Sequence, residues 1–148
     1  MAQTLTRLLI HGVFSTKHRE PRIEDRWRPD LQAIMGGILR NRRCDLIAAG
    51  GIEDHMHLLI RIPATLAVAD MMRDVKAHSS AWRHEIGDSK FAWQSGYGAF
   101  SVGPAMADTV AAYIADQREH HREVSFQEEF LSFLKTYKME YDERYLWE

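Results

Sequence analysis

Cysteine, proline and long apolar runs are all scarce in this 148-residue chain, which holds one Cys and four Pro. Cys44 stands alone, so an internal disulfide and a thiolate zinc cluster are both excluded. No apolar stretch approaches the ~20 residues that a membrane-spanning helix needs. The opening Met1-Ala2-Gln3-Thr4 lacks a signal-peptide profile, so a cytoplasmic protein without a membrane role is expected. Positive charge is not in excess either: the net charge is −2, which by itself argues against a nucleic-acid binder. The distribution along the chain differs from the total. Residues 1–43 carry nine Lys/Arg against four Asp/Glu, residues 44–115 five against eight, and residues 116–148 five against nine. Phosphate contacts need a local positive surface, and Lys17, Arg19, Arg22, Arg26 and Arg28 crowd one short segment.

What is present suffices for one domain over residues 1–148, since 45% hydrophobic content supports one core. Residues 5–14 are expected to form a strand and 15–29 a polar connection. A helix follows over 30–41, with Leu31, Ile34, Met35, Ile38 and Leu39 on its apolar face. Gly36-Gly37 inside that helix suggests close packing against another element. Strands are expected over 46–50 and 56–62 with a turn at 51–54, then a helix over 65–85. Residues 91–102 are strand material interrupted by Gly96 and Gly98. A third helix runs from Pro104 to about His120, a short one over 126–136, and an aromatic tail closes the chain. The order β-α-β-β-α-β-α-α predicts an α+β fold: an antiparallel sheet covered by helices in a ferredoxin-like, RRM-like split β-α-β arrangement.

Chemistry concentrates in Asp54-His55-Met56-His57-Leu58-Leu59-Ile60. Strand side chains alternate, so His55 and His57 share one face and Met56, Leu58 and Ile60 take the other. Two imidazoles ~7 Å apart on a rigid strand make half of a divalent-metal site. The alternative is a histidine pair that only hydrogen-bonds backbone. Tyr113 and Gln117 stack on one helix face through their four-residue spacing. Separately, each has a plainer assignment, a core tyrosine with its hydroxyl at the rim and a surface glutamine. Together with the histidines they supply a hydroxyl nucleophile and a neutral oxygen ligand. Adjacent His120 and His121 point about 100° apart on a helix, which assigns them capping or surface positions. No base stands beside Tyr113 in the sequence.

These residues carry a family resemblance. Asp54-His55-Met56-His57 resembles the histidine–hydrophobic–histidine motif of HUH endonucleases, and Tyr113 with Gln117 resembles the tyrosine-x-x-x-glutamine motif of their single-tyrosine transposases. Leu9 to Lys17 is similar to that family's opening strand and basic turn, Lys76-Ala77-His78-Ser79-Ser80 to its Lys-x-x-Ser-Ser segment, and Phe91 to Phe100 to its aromatic strand. The family includes the IS200-like and REP-associated tyrosine transposases of small bacterial insertion sequences. The resemblance implies a metal-dependent single-strand DNA endonuclease and strand transferase acting on hairpin-containing ends. It assigns Mg²⁺ or Mn²⁺ to His55, His57 and Gln117, and a 5′-phosphotyrosine intermediate to Tyr113. It implies a homodimer, and it leaves open whether the tyrosine helix serves the histidine site of its own chain or that of the partner. Lys17, Arg19, Arg22, Lys76 and Arg83 are the expected phosphate contacts. Trp93, Tyr97 and Phe100 are candidates to stack on bases, with at least two of them expected in the core. Two alternatives stay open: a domesticated relative that binds or nicks palindromic DNA without transposing, and a nucleotide hydrolase that uses the histidines without tyrosine chemistry.

Overall fold

The computed structural model describes residues 2–148. Strands β1 (Leu8–Ser15), β2 (Asp45–Ile52), β3 (His55–Ile62) and β4 (Gly98–Val102) form an antiparallel sheet in the order β2-β3-β1-β4. Helix α1 (Arg28–Asn41) joins β1 to β2, and α2 (Val68–Glu85) joins β3 to β4. That is the expected α+β, ferredoxin-like arrangement. Four further helices follow: α3 (Ala107–Ala115), α4 (Gln117–His120), α5 (Phe126–Thr136) and α6 (Glu143–Leu146).

Alternation along the strands gives the sheet two buried faces. Phe14, Met56, Leu58 and Ile60 meet Leu31, Met35 and Leu39 of α1 and Met71, Met72 and Val75 of α2. On the other face Leu9 and Leu59 pack on Val102 and Ile114, while Val13 and Phe100 pack on Phe126, Phe130 and Leu134. Burial on both faces explains why β3 reads as one continuous apolar run. Each fully buried Leu, Ile or Met there contributes about 1.5–3 kcal/mol relative to exposure. Among the described residues no helix is long and apolar enough to cross a membrane.

The structure departs from the sequence reading in four places. The turn between β2 and β3 shrinks to Glu53-Asp54, because Ile52 already pairs with His55. The strand expected over 91–102 survives only as Gly98–Val102. Upstream of it, Phe91 and Trp93 turn into the core beside Phe14, and Trp93 keeps a single bridge to Thr16. The third helix breaks at Asp116 (φ −103°, ψ 28°), which separates α3 from α4. Gly36 is not a packing constraint, since a Cβ there would meet Arg40 at 3.5 Å and Leu46 at 3.8 Å, ordinary contacts.

Gly50 is the glycine that matters. It pairs with His57 across the β2–β3 ladder, and a Cβ on it would drive into the carbonyl of Ile114 on α3. The absent side chain lets α3 lie directly on the sheet at the level of His57. Gly50→Ala is therefore expected to destabilise the protein by about 3 kcal/mol or more, at the upper end of overpacking costs. Urea unfolding beside the milder Gly36→Ala measures this, and equal stabilities would refute the close approach.

Candidate active site

β3 presents His55 and His57 on the face turned toward α3 and α5, and neither ring is exposed. Their outer nitrogens are tied down. His55 Nδ1 lies 2.8 Å from Asp54 Oδ1, and His57 Nδ1 lies 2.8 Å from Nε2 of His11 on β1. Both Nε2 atoms therefore face the same interior point. A hydrogen-bonding partner on the far nitrogen orients a metal-binding histidine, and Asp54 is the usual kind, a carboxylate, while His11 fills that place for His57.

The helical run supplies the rest. Tyr113, Gln117, His120 and His121 fall at i, i+4, i+7 and i+8, one stripe of a helix. Gln117 Nε2 donates to the Tyr113 carbonyl at 3.2 Å, which turns its Oε1 inward, 3.2 Å from His55 Nε2 and 3.0 Å from His121 Nε2. His120 Nε2 stands 3.2 Å from the Tyr113 hydroxyl. The capping or surface position expected for the two histidines is thus corrected: both enter the cluster, and His121 Nδ1 is held by the Val124 carbonyl. The helix break at Asp116 and the stripe together bring them there.

Glu129 of α5, 3% exposed, completes the group and was not anticipated. One oxygen lies 2.8 Å from His57 Nε2, 3.4 Å from His121 Nε2 and 3.6 Å from His55 Nε2. The other accepts the Tyr113 hydroxyl and lies 3.0 Å from His120 Nε2. Phe126, one turn earlier, stacks on His55 with ring centres 4.5 Å apart. A carboxylate inside the apolar stripe of Phe126, Phe130 and Leu134 was the available sequence signal, because buried Glu is rare unless paired. His11 left only a weaker one, an inward position on a strand.

Burial and contacts set the protonation of these groups. Burial depresses His57 to about 4, against the pull of Glu129, and burial with the nearby His57 depresses His11 to about 3. Burial alone would raise Glu129, but hydrogen bonds from His121 and His57 hold it well below the usual carboxylate range. Burial also works to lower His121, and its bonds to Glu129 and the Val124 carbonyl reverse that and raise it. Burial and the Glu129 contact push the Tyr113 hydroxyl up, so no phenolate stands ready. Inward imidazole nitrogens, an ionised carboxylate and an inward amide oxygen are a donor set that fits a divalent cation. His55, His57, His121 and Glu129 offer ligand atoms all within 4.8 Å of one another.

The basic residues lie outside this cluster. Lys17 and Arg19 form a turn just beyond Ser15, the β1 residue paired with His55. Arg22 pairs with Glu20 at 2.6 Å and approaches Asp88 at 3.7 Å. Lys76 donates to the carbonyls of Ser95 and Gly96, and burial brings it down to about 8. Arg83 lies 3.9 Å over the Trp27 ring with Asp88 at 3.8 Å. Trp93 and Phe100 are buried, as expected for two of the three aromatics, and Tyr97 is exposed.

Comparison with known proteins follows the same lines. The family described as Transposase IS200 like matches residues 4–117. The transposase for insertion sequence element IS200 of Salmonella typhimurium (strain LT2) is 28% identical over 129 residues, 82% of this chain and 84% of the relative. Its counterpart in Salmonella typhi matches to the same extent. A Deinococcus radiodurans R1 protein, described as a candidate transposase, shares the fold with a TM-score of 0.65 at 19% identity, over 77% of this chain and 93% of that one. A REP-associated tyrosine transposase bound to a REP hairpin shares it with a TM-score of 0.61 at 15% identity, over 84% and 76%.

The buried imidazoles have a consequence for stability. An unfolded histidine titrates near 6.5, so between that pH and about 4 the unfolded chain binds protons that His57 and His11 refuse. Their contribution is complete above pH 6.5 and is lost as pH falls toward 4. Glu129 loses its contribution in the same direction below the ordinary carboxylate range, whereas the raised His121 contributes below pH 6.5 and fades as pH rises. The Tm of metal-free protein should drop from pH 6.5 to 4, and His11→Gln should flatten the drop. A flat wild-type profile contradicts neutral buried imidazoles.

Proposed function

This chain belongs to the family of IS200-like transposases, and from that premise we propose that it cuts and rejoins single-stranded DNA through a covalent bond to Tyr113. The observation that carries this reading is the Tyr113 hydroxyl standing at the edge of a buried His55–His57–Gln117 group in the same chain. Hairpin-forming element ends are the proposed substrate, on the analogy of the neighbour bound to a REP hairpin.

A divalent cation, Mg²⁺ or Mn²⁺, held by His55, His57 and Gln117 would supply Lewis acidity to a phosphate oxygen. The chain's own residues do the remaining work. Tyr113 attacks phosphorus, the bond from phosphorus to the 3′-oxygen breaks, and the 5′-phosphate stays on the tyrosine. Because the phenol is protonated at rest, its proton must leave during attack. His120 accepts it, since its Nε2 is 3.2 Å from the hydroxyl. Net, the phenolic proton ends on the released 3′-hydroxyl. A second 3′-hydroxyl attacking the phosphotyrosine reverses the step and joins strands without ATP.

Glu129 now fills the space between Tyr113 and His57 that a phosphate needs. The arrangement is a closed one, and a bound strand displaces Glu129 together with α5. Lys17 and Arg19, at the His55 end of the sheet, are the first phosphate contacts. Arg22, Lys76 and Arg83 join them by releasing their present partners. A homodimer of this chain pairs two such sites, each with its own tyrosine.

Labelled hairpin DNA from the flanks of the gene, incubated with Mn²⁺ and run on a denaturing gel, tests the reading. Wild type should give a covalent protein–DNA band that EDTA abolishes and Tyr113→Phe lacks. His120→Ala should form it ~10²–10⁴ times more slowly. Strand cleavage by Tyr113→Phe would overturn the tyrosine chemistry in favour of hydrolysis. Binding without an adduct would favour a domesticated relative.

A further inference from the structure

Three donors, His55, His57 and Gln117, suffice for the reading above, yet the structure surrounds the same point with two more. We propose that His121 and Glu129 are metal ligands as well, and that the five together select a first-row transition ion over Mg²⁺. This rests on the metal-dependent reading of the site. Both residues lie beyond residues 4–117, the span matched to the family.

Donor spacing supports the assignment. The contacts between Nε2 of His55, His57 and His121, Gln117 Oε1 and Glu129 Oε1 run 2.8, 3.0, 3.2, 3.4 and 3.6 Å. Ligands about 2.1 Å from one ion lie roughly 3.0–3.4 Å apart along the edges of an octahedron or tetrahedron. Orientation agrees with spacing. His55 is turned inward by Asp54, His57 by His11, Gln117 by its bond to the Tyr113 carbonyl and His121 by the Val124 carbonyl. Four donors thus have their other polar atom occupied, so the inward atoms are left for the ion.

Composition decides the metal. Three imidazole nitrogens, one carboxylate and one amide oxygen suit Mn²⁺, Co²⁺ or Zn²⁺, with affinity rising toward zinc. Mg²⁺ demands oxygen donors and gives up its waters reluctantly. Here His55, His57, Gln117 and Glu129 are all at most 3% exposed, and two further ligands in Glu129 and His121 leave fewer positions for those waters. The carboxylate also offsets cation charge in a buried place, which a histidine pair and a neutral amide cannot do. In the strand-free protein, loading the site ties α5 and the segment after α4 to the central strand β3, and an incoming strand then takes the place of Glu129.

Metal-stripped full-length protein titrated with MnCl₂, CoCl₂, ZnCl₂ and MgCl₂ decides the matter. The readouts are Tm and, for cobalt, the visible spectrum. Micromolar cobalt and zinc should raise Tm, and millimolar Mg²⁺ should not. His121→Ala and Glu129→Gln should each weaken cobalt affinity by at least about 100-fold, the upper end for loss of a mere outer partner. His78→Ala, an exposed histidine on α2, should leave it unchanged. Circular dichroism of the metal-free variants checks that they fold, and Glu129→Asp gives a second, shorter carboxylate if Glu129→Gln does not. Wild-type affinity in both ligand variants, or Mg²⁺ binding as tightly as Mn²⁺, overturns the proposal. Tyr113→Phe binds cobalt normally under it, and a wild-type protein that binds cobalt as predicted yet fails to cleave hairpin DNA strikes the transposase reading alone.

Discussion

The site rests on one close approach, that of α3 to the β2–β3 hairpin where Gly50 has no side chain. Gly50 is the ladder partner of His57 and faces the Ile114 carbonyl. Ile114 is buried between them, with Tyr113 immediately before it and Gln117 three residues after. A single added methyl at residue 50 would lift the helix, and with it the tyrosine and the amide, away from the histidines. Sequence acts here through an absence: two elements from separate parts of the chain share one location because a side chain is missing.

Around that contact the polar groups compensate one another. Burying an unpaired carboxylate costs several kcal/mol, and Glu129 is tolerated because imidazole and phenol donors surround it. In return it keeps Tyr113 protonated and closed in, while Asp54, His11 and the Val124 carbonyl fix which nitrogens point inward. The function proposed above requires this balance to be disturbed: with Glu129 between Tyr113 and His57, the contacts that make the resting cluster stable also set how readily it opens.

The fold was legible in the sequence because alternation and helical periodicity are local signals. β3 announced both its apolar face and its histidine face, and the order of elements followed from the turns. Tyr113 and Gln117 were legible through their spacing. His120 and His121 were not, because adjacent helical residues point apart, and the informative spacings are the seven residues from Tyr113 to His120 and the four from Gln117 to His121. Glu129 was hidden by sequence distance: nothing local says that α5 returns across His55. His11 needed the strand register. The shortened β4 reflects a tertiary preference, since Phe91 and Trp93 gain more by entering the core than by extending a ladder. Arg83, expected at a phosphate, sits over Trp27, where a planar guanidinium stacks well.

The central claim is that the tyrosine and the histidines of one chain act together. Co-expressing His57→Ala with Tyr113→Phe, purifying the mixture and assaying covalent adduct on hairpin DNA tests it. Each variant then lacks one half of its own site, so the account predicts a mixture as inactive as either variant alone. Adduct formation by the mixture would show that a partner's helix reaches across, and would contradict the account.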